Sequence, residues 1–354
     1  MTLIDLGFAQ ATVPDLLRIF TVFFFGWVAI RDIKTRRVSN SVWLPVYALG
    51  LALIAWELYY VLQDEFVLHY VIPVAISIGV VIPLGWLLWM FGSFGGADAK
   101  AIFALALLFP VAPRLFLESG QMFPLVVSSF ENFSLAVLMN AVLLMLLYSV
   151  YFFVRNVVRS DIHRLMVYGR QYPISNVPMI NGKLLDQPHG RSKGGLDLDV
   201  LRMYLQWRGI ALDELRVYGT GIRRCLPKEE YKQDVDDGRV TQEPHIAPEM
   251  PMDERVASTR VEKWEQNAKS ASFVEYVDDP WAVDEFAEEI GGLPYGVTED
   301  ELRRGLDVVS DLERDQVFIS PGIPFLVPIF GGLLIGLVYG DVFFSGFSSV
   351  VGFF

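Results

Sequence analysis

The sequence predicts a polytopic α-helical membrane protein of six transmembrane helices, with an acidic cytoplasmic α+β insertion between helices five and six. Three observations carry this. Of 354 residues, 53% are hydrophobic and the mean hydropathy is +0.39, more apolar than soluble domains of this length. Apolar runs near the ~20 residues that a spanning helix requires recur along the chain. The segment between the last two of these runs is polar and carries most of the formal net charge of −12.

The first run, residues 13–30, is the weakest because Arg18 lies in it; an arginine near a helix end can snorkel to the headgroups. The others cover about 42–62, 67–91, 98–117, 133–154 and 322–344. Glycine and proline inside them are compatible with spanning. Orientation follows from basic residues in the short loops. Arg31, Lys34, Arg36 and Arg37 follow the first run, Lys100 opens the fourth, and Arg155, Arg159 and Arg164 follow the fifth. The opposite side carries Arg114 and Arg18. The excess puts residues 31–41, 92–100 and those after 155 in the cytoplasm, with both termini outside. Trp43, Trp56, Tyr59, Tyr60, Trp86 and Trp89 fall near run ends, as interfacial belts do. Asp5 and Asp15 stand where a cleavable signal would carry basic residues, so none is expected.

Three parts follow: a five-helix membrane domain over 1–156, an acidic cytoplasmic domain over 157–320, and a final transmembrane helix over 321–354. Within the middle part, residues 165–185 alternate and break like short strands and turns. Residues 196–208 read as an amphipathic helix. Residues 226–290 are acidic and punctuated by proline, the composition of a largely flexible segment. Tyr276, Asp278, Asp279, Trp281 and Asp284 form an acidic–aromatic group that reads as a partner motif. The single cysteine, Cys225, excludes an internal disulfide and a cysteine-based zinc cluster. The four histidines, His69, His163, His189 and His245, show no ligand spacing.

Two carboxylates stand out by position. Asp32 lies just beyond the first run and Asp98 opens the fourth. Two runs intervene, one round trip, so both acids meet the membrane at the same face. Ionisable groups at membrane depth are costly and are functional candidates by default. Two nearby aspartates suit acid–base hydrolysis: like charges in a low dielectric raise one pKa, so the pair shares a proton. The ionised member takes a proton from water and the protonated member donates to the scissile carbonyl. Gly92, Gly95 and Gly96 precede Asp98 and let a substrate backbone approach. The plainer alternative makes Asp32 a solvated loop residue paired with its basic neighbours, and Asp98 a helix N-cap.

The residues around both acids resemble a family. Gly95-Gly96-Ala97-Asp98-Ala99-Lys100 is similar to the GxGDxK motif of prepilin peptidases, which are GxGD-type intramembrane aspartyl proteases. The stretch Asp32-Ile33-Lys34-Thr35-Arg36-Arg37-Val38-Ser39-Asn40 is similar to the family's first-aspartate motif, with Ser39 where proline is usual. Pro321, Pro324 and Pro328 resemble the entry to the last span of archaeal preflagellin peptidases. Three prolines there remove backbone donors and leave carbonyls open to a substrate strand, although proline also suits the first turn of any helix.

The resemblance implies an archaeal membrane enzyme that removes the basic leader of prepilins or preflagellins at the cytoplasmic border. Asp32 and Asp98 would be catalytic; Gly95, Gly96, Lys100, Arg36, Asn40, Pro321 and Pro324 would serve the motif or the approach of substrate. The cysteine-rich segment linked to N-methylation in bacterial members is absent, so cleavage without methyl transfer is expected. No metal, organic cofactor or nucleic-acid partner is implied. The acidic insertion would steer a basic leader; an acidic surface equally suits a salt-loving cytoplasm, where such steering is screened within about 3 Å at 1 M salt. Two other classes compete: a transporter using Glu57, Asp98 and Asn140, with Glu57 at the outer end of its helix in reach of water, and a non-catalytic scaffold presenting the acidic domain.

Overall fold

The computed structural model describes residues 3–35, 38–63, 67–91, 94–126, 132–160, 162, 164–223, 226, 235–238, 277–322, 324–343 and 345–346. Arg36, Arg37, Gly92, His163, Cys225, His245 and Tyr276 lie outside them, as does most of the 226–290 segment read as flexible. The chain divides into two compact units, Met1–Ser149 with Pro324–Phe354, and Val150–Ile323.

The first unit is the membrane unit. Its helices are α1 (Val13–Thr35), α2 (Trp43–Val61), α3 (Leu68–Ile76), α4 (Ile82–Met90), α5 (Gly96–Leu108), α6 (Phe133–Val158, running on past this unit) and a C-terminal helix, Leu326–Val338. Four stretches are long and apolar enough to cross a bilayer: Val13–Lys34, Asn40–Val61, Leu68–Met90 and Phe133–Val158. The other two differ from expectation. α5 and the C-terminal helix each have 13 residues, about 20 Å at the helical rise against a hydrocarbon core of about 30 Å. α5 ends before Phe109-Pro110, and the apolar residues beyond it form strand β3 instead.

α5 is the centre of the bundle. Ala99, Ala101, Ile102, Ala104, Leu105, Ala106 and Leu108 are all buried. Small side chains let neighbouring helices approach closely, as membrane packing requires. The glycines of those neighbours answer them. A Cβ on Gly50 of α2 would lie 2.8 Å from Leu107 Cβ, and one on Gly85 of α4 would lie 2.9 Å from Ile102 Cγ2. Phe20, Phe23, Ile30 and Ile33 of α1 are instead exposed, the apolar face a bilayer covers.

α3 and α4 form one span interrupted by a π turn at Ser77–Val81. Pro73, four residues before it, has no N–H for the helix ladder. Asn132, ahead of α6, donates to Pro73 O at 2.7 Å and to Ser77 Oγ at 2.9 Å. The polar groups at this irregularity are thus satisfied inside the protein, as lipid demands.

A small antiparallel sheet closes one end of the unit. Its order is β1 (Ile4–Asp5), β2 (Ala9–Ala11), β3 (Leu115–Leu117), β4 (Met122–Phe123). β2 leads into α1, and β3 follows α5. At this end Arg18 is fully buried, not snorkelling, and Glu57 is buried, not open to water. Arg18 grips both Glu57 oxygens at 2.5 Å and donates through Nε to Leu108 O at 2.6 Å. Tyr70 also donates to Glu57, at 2.8 Å. These four residues lie on four helices, so no single stretch of sequence reveals them.

The second unit is α+β. A four-stranded antiparallel sheet runs β5 (Arg170–Pro173), β8 (Gln316–Pro321), β6 (Gly182–Gln187), β7 (Gly190–Asp197). The last strand in sequence therefore inserts between the first two. Among the described residues four helices accompany it: α7 (Leu198–Arg208), α8 (Leu212–Ile222), α9 (Val283–Glu289) and α10 (Glu299–Val309). With α9 and α10 assigned, the C-terminal helix of the membrane unit is α11. Asp197 caps α7, accepting from Asp199 N at 3.0 Å, and Gly209 ends it in the left-handed conformation. The core gathers Leu184, Leu196, Leu201, Trp207, Trp281, Phe286, Leu302 and Leu306.

Residues 277–290, expected to be flexible, fold in this unit. Trp281, Val283, Phe286 and Ala287 are buried. The Trp281 carbonyl accepts from the Tyr204 hydroxyl and from Arg208 Nη2, each at 2.6 Å. These bonds hold Trp281 and Ala282 at φ of +69° and +52°, unusual for residues other than glycine. Arg303 binds Asp279 at 2.6 Å, Asp284 at 2.5 Å and Asp300 at 3.3 Å. Burial alone would lower its pKa, but hydrogen bonds and charge from Asp279 and Asp284 raise it overall. Of the acidic–aromatic group, Trp281 is core and Asp279 and Asp284 share one arginine, while Asp278 and Asp284 are exposed.

Candidate active site

Asp32 is carried by the last turn of α1, which continues to Thr35. It is buried, with 5% of its surface exposed, and so is not the solvated loop residue of the plainer reading. Beyond it, Val38 is buried in the membrane core, Ser39 and Asn40 are exposed, and a 3-10 turn over Asn40–Val42 opens into α2. Trp43 anchors that junction. It is fully buried and meets Phe24 of α1 edge to face, with ring centroids 5.7 Å apart.

Asp98 belongs to the first turn of α5. Gly95 is extended (φ −70°, ψ 159°) and its N–H donates to Asp98 Oδ2 at 3.1 Å. Asp98 thus reaches back over the helix start from the third helical position, a variation on the N-cap role expected as the alternative. It is half-buried. Phe94 stacks on Phe325, just ahead of α11, with centroids 4.3 Å apart, which fixes the approach to the glycine pair.

Two hydrogen bonds decide how these pieces relate. At the sheet-bearing end, Arg18 near the start of α1 binds the carbonyl of Leu108, the last residue of α5. The two helices therefore run in opposite directions. Asp32 lies 14 residues on from Arg18, about 21 Å along α1, and Asp98 lies ten residues back from Leu108, about 15 Å along α5. Both acids fall at the other end of the unit. There, Lys100 Nζ donates to Asn40 Oδ1 at 2.6 Å, across 60 residues of sequence. The two motif segments meet through that bond. Tyr47 of α2, which no sequence signal marked, adds a bond from its hydroxyl to Lys100 O at 3.1 Å.

The remaining candidates are distributed unequally. Gly95 and Gly96 lie beside Asp98, and a Cβ at Gly96 would be 3.7 Å from both Lys100 Nζ and Trp89 Nε1. Arg36 lies outside the described residues. Pro321 closes strand β8 of the second unit, opposite Gly182, while Pro324 precedes α11 in the first. Of the three prolines only Pro328 is inside the helix, in its first turn. Among the described residues no group of three His, Cys, Asp or Glu side chains is placed to hold a metal ion.

The arrangement defines an integral membrane protein with two acid-bearing motifs joined at one end of a helical bundle. Residues 19–150 match the model of the type IV leader peptidase family, and this assigns that stretch to the family its aspartate motifs resemble. That stretch, under half of the chain, is similar to membrane leader peptidases. The match includes both aspartates and α5 and ends at the first residue of the second unit. No curated protein and no solved structure matches the chain significantly.

Proposed function

We propose that the protein is a membrane aspartic endopeptidase that removes the basic leader from archaeal prepilins or preflagellins at the cytoplasmic membrane face, without N-methylation. The observation that carries this is the Lys100–Asn40 bond, which brings the two aspartate motifs to one end of the bundle. In the mechanism, Asp32 and Asp98 share one proton. The ionised carboxylate takes a proton from water as its oxygen attacks the scissile carbonyl carbon. The protonated carboxyl donates to the carbonyl oxygen, giving a neutral gem-diol. Its collapse breaks the C–N bond, with a proton passed to the departing amine. The pair titrates as a unit, so acid and base are roles of the dyad. Water and two carboxylates suffice for this chemistry.

The substrate fits the location: a short basic leader stays in the cytosol, the following apolar helix enters the bilayer, and the scissile bond falls between. The transporter reading draws less support. Glu57 is held by Arg18 and Tyr70, and Asn140 is engaged by Gly340 O at 2.9 Å and Val342 N at 3.1 Å. These polar groups tie the membrane unit together.

The test is processing of a co-expressed prepilin or preflagellin by wild-type protein and by Asp32→Asn and Asp98→Asn. Loss of leader removal in both variants, at normal membrane levels, is expected; full processing by either rejects the dyad. Mass spectrometry of the product is expected to give a free, unmethylated N-terminus.

A further inference from the structure

We infer that Lys100 is a positioning residue that acts through Asn40, clamping the segment after Asp32 against the helix that carries Asp98. The inference rests on the proteolytic reading above and adds to it a residue that does not itself touch the reacting atoms.

Lys100 breaks a local rule. Side chains on a helix lean toward its N-terminus, so the lysine stem folds back one turn. Its ammonium ends over Gly96, 3.7 Å from the place a Cβ would occupy. The start of a helix is the positive end of its dipole, where a cation is disfavoured. A residue placed against such a preference usually answers to function. What receives the ammonium is Asn40 Oδ1, at 2.6 Å, a charge-assisted bond.

The first segment needs a clamp more than the second. α5 is packed on nearly every side and cannot shift without disturbing the core. Among the described residues, the segment after α1 is fastened inside the bundle at Val38, Val42 and Trp43; Ser39, Asn40 and Ser41 are exposed between the first two. Its 3-10 turn has no side-chain cap and is held by two backbone bonds, Val42 N to Ser39 O, long at 3.3 Å, and Trp43 N to Asn40 O. Asn40 is thus the handle by which α5 holds this turn. Lys100 and Asp98 are two residues apart, which puts their side chains on opposite faces of α5 (about 200° apart). The lysine can therefore clamp without entering the catalytic face. Tyr47 holds the backbone of Lys100 in place from α2.

The experiment is a double-mutant cycle on purified protein with a purified prepilin. Lys100→Met and Asn40→Leu are each expected to lower kcat by about tenfold with KM unchanged, the worth of one charge-assisted bond. The double variant is expected to be no slower than either single one. Lys100→Arg, which keeps a donor, is expected to lose less than threefold. Additive losses, or a raised KM in Lys100→Met with Asn40→Leu unaffected, would show that the lysine meets substrate directly and overturn the inference. A second measurement needs no catalysis: hydrogen exchange of residues 38–42 should be several-fold faster in Lys100→Met than in wild type, with α5 unchanged. Equal exchange overturns the clamp even if the enzyme is active. Failure of wild-type protein to cleave any leader would sink the proposed function and leave this second measurement decisive.

Discussion

Glu57→Gln is the sharpest test of how the membrane unit is held in register. The substitution preserves shape and removes one charge from a pair in which Arg18 is fully buried and bound at 2.5 Å to each Glu57 oxygen. Breaking a buried pair from one side costs about 3–5 kcal/mol, because the remaining charge has no partner. Here Asp15 lies 3.8 Å from Arg18 Nη1 and offsets part of that, so the lower end, about 3 kcal/mol, is expected. At about 2–4 °C per kcal/mol for a unit of this size, the melting temperature should fall by about 6–12 °C. Tryptophan fluorescence during heating in a fixed detergent reads the change. Replacing both partners, Arg18→Met with Glu57→Met, removes the unpaired charge and should recover most of the loss. A Glu57→Gln protein melting within about 2 °C of wild type would refute the reasoning. It would mean that water or lipid headgroups reach the arginine.

Three further outcomes follow from particular contacts. Gly50→Ala should destabilise the membrane unit by about 1–3 kcal/mol, since the new Cβ meets the Leu107 backbone at 3.0 and 3.1 Å, where no rotamer change relieves it; detergent melting checks this. Arg303→Met should free Asp279 and Asp284 and speed chymotrypsin cutting of the second unit after Trp281 and Phe286, whereas loss of Asp300, the longest of the three contacts, should do little. Burial raises the Tyr204 pKa, so the folded unit keeps its proton where the unfolded chain has lost it. That contribution is complete below about pH 10 and declines as pH rises through the folded value. Urea titrations of the second unit should show this alkaline slope in wild type and a flatter one in Tyr204→Phe.

Much of this was legible in the sequence, and the exceptions share a cause. Length and hydropathy identify four spans because a lipid-exposed helix must be apolar along its whole length. They mislead at residues 98–117, where a short buried helix is followed by a half-exposed apolar strand and the apolar run continues across both. Composition marks the acidic segment as separate, yet hides α9, whose Val283, Phe286 and Ala287 keep helical spacing among acids; net charge outweighed periodicity there. Asp32 and Asp98 could be placed at one end by counting spans alone. Arg18 and Glu57 could not be paired that way, since each reads singly as a charge escaping to water. Topology brings them together, and their bond fixes what counting leaves open.

The buried pair and the candidate site therefore depend on each other. An even number of spans puts two acids at the same face but leaves their relative depth undetermined by several ångströms. The Arg18 bonds to Leu108 and Glu57 set the sliding position of α1 against α5 and α2 at one end. α5 is too short and too tightly enclosed to adjust independently, so the setting is carried to its start, where Gly95 and Lys100 address Asp98 and Asn40. A slip of one residue on α1 would displace Asp32 by about 1.5 Å along the axis and turn it by about 100°, enough to part the two acids of the proposed dyad. A costly ion pair on the far side of the bundle is thus well placed to supply the register that the proposed hydrolysis at the near side requires.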